Sequence, residues 1–141
     1  MADLLDGIAR HLASKGLVEY DTTGTGGTCF IESMPSRPGL AVVLTVYDDS
    51  RESDSKIGYD EPRMQVRVRG DADSRTSRQV CAAIRSELHG LGPIILPDGT
   101  QLHLSVALQQ APASMGVDSN GRHEHVCNFR MGHRSVTAHR N

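Results

Sequence analysis

Glu61–Leu91 reads EPRMQVRVRGDADSRTSRQVCAAIRSELHGL, one strand feeding one amphipathic helix. Met64, Val66 and Val68 alternate with Gln65, Arg67 and Arg69, the period-2 pattern of a strand with one buried face. Gly70 and Asp71 break the run, and Asp71 or Asp73 supplies a carboxylate for the free N–H groups that open a helix. Along that helix Val80, Ile84, Leu88 and Leu91 fall on one stripe, with Cys81 and Ala83 at its margins. Arg75, Arg78, Arg85 and Glu87 take the wet side. Gly90 is a left-handed terminator, and Pro93 keeps the helix from resuming.

Upstream, Ala2–Ser14 is a helix with Leu4, Leu5, Ile8 and Leu12 on one face, closed by Lys15-Gly16. Gly24, Gly26 and Gly27 sit among threonines but lack the G-K-[ST] of a phosphate-binding loop, so a connector is expected there. Cys29–Ile31 looks extended, and Leu40–Tyr47 is a β-branched apolar run expected to be a strand covered on both faces. Asp48–Asp60 is a polar loop carrying Asp48, Asp49, Glu52 and Asp54. It lacks the ligand order, central Gly and terminal Glu of an EF-hand.

Downstream, Ile94–Leu96 and Gln101–Leu108 flank the turn Pro97-Asp98-Gly99. Leu102, Leu104, Val106 and Leu108 alternate with His103, Ser105, Ala107 and Gln109, which predicts a half-buried strand. Gln110–Asn120 is expected to be a loop, and Asn120-Gly121 a tight turn leading to a last strand, His123–Met131. There Cys127, Phe129 and Met131 face one way. The expected fold class is α+β: a single mixed sheet of about four to five strands with two helices packed on one face. Residues 1–131 form one domain and 132–141 a flexible tail.

Composition narrows the function. A chain of 141 residues can bury a core without metal or disulfide. The net charge of −2 argues against nucleic acid as a main ligand, and no sequence-specific nucleic-acid partner is expected. The three cysteines are unpaired as C-x-x-C and fit a reducing compartment. No secretion signal opens the chain, and Gly39–Tyr47 is too short to span a bilayer, so no membrane partner is expected. His123 and His125 share a strand face, and His103 lies opposite if the two strands pair, which suits a metal with an open position. The plainer reading is an exposed polar strand face, because no carboxylate completes a known pattern. No nucleophile elbow, Cys-His signature or dinucleotide fingerprint appears, so no catalytic residue and no cofactor are assigned.

The run EPRMQVRVRG, a helix ending ELHGL, a hydrophobic hairpin, the strand LHLSVALQQAP and then DSNGRHEHVCNFRM resemble the bacteriophage minor capsid proteins that act as tail terminators or neck-completion proteins. The opening LLDGIARHLASKGL and Pro35-Ser36-Arg37-Pro38-Gly39 match as well. The resemblance implies a virion protein that is no enzyme. It would form a ring, typically six-fold, at the head-proximal end of a tail, with the tail tube protein and the head–tail connector as partners and DNA passing through. On this reading Arg67, Arg69, Asp48, Asp49, Glu52 and Asp54 are candidate subunit or partner contacts. The alternatives are another neck protein of similar fold, or a small module or enzyme built on His103, His123 and His125.

Overall fold

The computed structural model describes residues 3–47 and 49–141. In chain order the elements are α1 (Leu4–Ser14), β1 (Cys29–Ile31), β2 (Ala41–Tyr47), β3 (Tyr59–Asp60), β4 (Arg63–Arg69), α2 (Ser74–Leu88), β5 (Ile94–Ile95), β6 (Gln101–Ala107), β7 (Ala113–Val117) and β8 (His123–Arg134). The main sheet order is β1-β2-β4-β8-β6-β5, with β3 and β7 also paired to β8. The sheet is mixed because β1 runs parallel to β2 while the remaining pairings are antiparallel. It has eight strands rather than the expected four to five. Among the additional ones β3 and β5 are two residues long, too short to show a period, and β7, five residues long, falls where a loop was expected.

β8 is the organising strand. Its twelve residues pair with β4 along one side and with β6 and then β7 along the other. Since β4 and β6 both run antiparallel to β8, they are parallel to each other, and α2 makes the crossover between them. Both helices feed one core: Ile8 and Leu12 of α1 and Cys81, Ile84 and Leu88 of α2 meet Val42, Leu44, Val66, Cys127, Phe129 and Met131 of the sheet. The expectation of two helices on one face therefore holds.

Each helix begins on an aspartate. Asp3 accepts from Leu5 N at 3.1 Å and Asp73 from Arg75 N at 3.0 Å. The inward stripe of α2 is Ser77, Cys81, Ile84 and Leu88. Cys81 is thus central and Val80 marginal, the reverse of the expected assignment. Two residues expected in water instead tie α2 to its neighbours. Glu87 bonds His11 of α1 at 2.8 Å, and Arg85 Nε donates to Gln109 O at 2.9 Å.

The expected alternation in β6 fails at one place. A bulge between Leu102 and Leu104 shifts the register against β8. One extra residue reverses every following side chain, so Leu102 and Ser105 point inward and Leu104 faces water. The strand expected to stop at Met131 runs to Arg134, because Tyr59 and Asp60 pair with Arg134 and His133. Beyond it, Ser135 N donates to Gly58 O at 2.8 Å and Asn141 N to Lys56 O at 2.9 Å.

Candidate assembly surface

The face of the sheet turned away from the helices carries Arg63, Gln65, Arg67 and Arg69 of β4 beside Glu124, Val126, Asn128 and Arg130 of β8. Its charges are largely matched within the chain. Arg67 Nε donates to Glu124 Oε1 in a short ion pair. Arg63 Nε reaches Asp49 Oδ2 at 3.2 Å, and Arg130 Nε lies 3.5 Å from Glu61 Oε2. Arg69 is only 4% exposed. Its guanidinium donates to Pro38 O at 2.7 Å and Gly39 O at 3.0 Å. Those bonds fold the segment between β1 and β2 over the corner where Phe30, Ala41, Val43 and Met34 form a second small core. This segment explains why Ala41–Leu44 is buried on both faces; the cover expected over all of Leu40–Tyr47 stops there, since Leu40 and Val46 are exposed.

The acidic loop lies at the other end of the face. Tyr47 is paired with Arg63, and Val43 with Arg67. Four strand residues, about 13 Å, therefore separate Arg67 from the loop end. The structure does not bring Arg67 and Arg69 together with the acidic residues. Asp48 falls outside the described residues. Asp49 is held by Arg51 Nε at 2.7 Å, and that bond, first among several, keeps its carboxyl below the usual range. Glu52 is exposed. Asp54 accepts from Ile57 N at 2.7 Å and Lys56 N at 2.8 Å, the geometry of a loop closing on itself. Asp60 takes Arg140 Nη1 at 2.8 Å and Nη2 at 3.0 Å, and Arg140 pulls its carboxyl down to about 2. The loop and the segment after β8 enclose an open, polar cavity lined by Tyr47, Asp49, Asp54, Tyr59, Glu61 and His133.

The three histidines of the metal reading do not converge. His125 is buried and bonded through Nδ1 to Ser77 Oγ at 2.8 Å. Its imidazolium is disfavoured by burial first, then by the charges of Arg78 and His123. His103 sits at the β6 bulge against Tyr59, ring centres 5.3 Å apart. Its neighbours on β8 are Gly132 and His133. That places it about 25 Å along the strand from His123 and His125. Among the described residues, no group of three His, Cys, Asp or Glu side chains is placed to hold a metal ion.

Sequence reasoning missed the apolar margin formed by β5, β6 and β7. Ile95 is 69% exposed, Met115 60%, Val117 56% and Leu104 44%. Leu104 was expected inside until the bulge turned it out, and Met115 and Val117 lie where a loop was expected. The opposite margin is closed by its own chain, since Thr28 N and Cys29 N both donate to Glu19 O at 2.7 and 3.0 Å. β7 meets β8 on one side and no strand of the described chain on the other.

These features define an α+β protein with a self-paired polar face and exposed apolar residues along β5, β6 and β7. Its charged side chains are engaged mainly in holding its own loops. A family model described as Bacteriophage tail terminator protein matches residues 11–132, and the chain belongs to that family. It is a structural protein of the phage tail, as the resemblance in Glu61–Met131 implied. No curated protein matches the chain.

Proposed function

We propose that this protein is the tail terminator that closes into a six-fold ring at the head-proximal end of the tail tube. There it stops tube growth and offers a docking surface to the head connector. The observation that carries the reading is membership of the tail terminator family, and the exposed apolar side chains of Ile95, Leu104, Met115 and Val117, spread along the edge formed by β5, β6 and β7, offer a surface for contact. A ring needs heterologous contacts, in which one flank of a subunit meets a different surface of the next. An apolar margin at β5, β6 and β7 and a margin at β1 covered by its own chain supply two unlike surfaces. Arg67, Glu52 and Asp54 remain accessible for partner contacts with the tail tube or connector, whereas Arg69 serves its own loop. On this reading the protein assembles in the host cytoplasm and ends in the tail or neck of the virion.

The test is solution mass together with negative-stain images, with and without tail tubes, for the parent chain and for Ile95→Asp and Met115→Asp. The expected result is rings or capped tube ends for the parent and their loss in both variants, each still folded. A parent chain that stays monomeric and leaves tube ends bare would overturn the proposal.

A further inference from the structure

α2 lies across β8, and together they hold the Sγ atoms of Cys81 and Cys127 3.6 Å apart, with the Cys81 thiol directed at the Cys127 sulfur. Both residues are essentially inaccessible, at 0% and 1% exposure. Neither element can easily move its cysteine away. Cys81 shares its stripe with Ile84 and Leu88, and Cys127 alternates with Phe129 and Met131, all of them in one core. Cys29 is also free and buried, but it is not paired with another thiol.

We propose that Cys81 and Cys127 form a dithiol that a hydroperoxide converts to a disulfide after the particle leaves the reducing interior of the cell, stapling α2 to β8. This rests on the chain being a tail component and not on the ring, so failure of ring assembly would leave it standing. The two sulfurs have unequal roles. The thiol of Cys81 and the charge of Arg85 favour the thiolate of Cys127, while the same hydrogen bond and burial disfavour ionisation of Cys81. In the first step the Cys127 sulfur attacks a peroxide oxygen and the O–O bond breaks. Cys127 becomes a sulfenic acid, and its proton leaves with the departing hydroxide as water. In the second, the Cys81 sulfur attacks the Cys127 sulfur and the S–O bond breaks. The Cys81 proton leaves as a second water. Two thiols and one hydrogen peroxide thus yield one disulfide and two waters, the sulfurs losing the two electrons that the peroxide gains. Hydrogen peroxide is small enough to enter during local opening of α2 over β8, the kind of sub-global fluctuation native proteins undergo.

The experiment treats the purified full chain with hydrogen peroxide, then unfolds it in an alkylating reagent for intact mass and peptide mapping. The expected product carries one alkyl group, on Cys29, in place of three, its polypeptide portion about 2 Da lighter by the loss of two hydrogens, with a linked peptide joining Cys81 to Cys127. The cross-link spans 46 residues of sequence. Its thermal midpoint should rise by about 10 °C and return on adding dithiothreitol. Cys81→Ser, or Cys81→Ala where a hydroxyl disturbs the apolar site, should abolish both the linked peptide and the rise. Three alkylated thiols after oxidation would overturn the proposal. So would a link through Cys29, or a product joined between two chains.

Discussion

Ile84→Ala tests how α2 is seated on the sheet. Ile84 is fully buried in the core shared by both helices. The substitution removes three carbons, worth about 2.4 kcal/mol at roughly 0.8 kcal/mol each. The vacated space adds a cavity penalty, because β4 and β8 are held by their own ladders and cannot collapse into it. The total should fall near 3–4 kcal/mol, within the range of about 2–5 kcal/mol for such changes. In urea unfolding with a slope of about 2 kcal/mol/M, the midpoint should drop by roughly 1.5–2 M at unchanged slope. Ile84→Val should lose only about 0.5–1.5 kcal/mol. Val80→Ala should cost less than Ile84→Ala, since Val80 is only half-buried. A loss below about 1 kcal/mol for Ile84→Ala, or a larger loss for Val80→Ala, would refute the observed stripe.

Three further outcomes follow from other parts of the fold. Arg140 holds the Asp60 carboxyl at about 2. The ionised form is therefore favoured by folding, and its contribution is complete above the ordinary carboxylate value and lost as pH falls from there through about 2. Thermal midpoints measured from pH 5 down to 2 should show a steeper acid limb for the parent than for Asp60→Asn, and parallel curves would count against the pairing. Gly92 has φ +124°, and a Cβ there would lie 2.3 Å from His103 O. Gly92→Ala should thus cost at least about 2 kcal/mol, whereas Gly116→Ala, strained in φ but in open space, should cost less in the same denaturation assay. Ser105 Oγ is buried with no hydrogen-bond partner among the described residues. Ser105→Ala should raise stability by about 0.5–1 kcal/mol, and a loss of similar size would reveal an unseen partner.

Much of the architecture was legible because it rests on local pattern. The alternation of Met64, Val66 and Val68 placed the strand, Asp71 or Asp73 and then Gly90 bracketed the helix, and Cys127, Phe129 and Met131 marked the inner face of the last strand. The same residues carried the family resemblance. The candidate contacts were less legible, because charge in a sequence does not say which partner it meets. Arg69 looks like an exposed alternate of Val68, yet the carbonyls of Pro38 and Gly39, some thirty residues away, take it out of water.

Periodicity, capping and turn chemistry act over a few neighbouring residues, so the α+β class, the two helices, the central strands and the kinship could be read from the order of residues alone. The strand count, the reversal of Leu104, the exposed apolar margin and the meeting of Cys81 with Cys127 emerge only in the folded chain. Each of these depends on register against β8, and register is set by pairing between segments far apart in the chain, where a one-residue bulge exchanges the inner and outer faces.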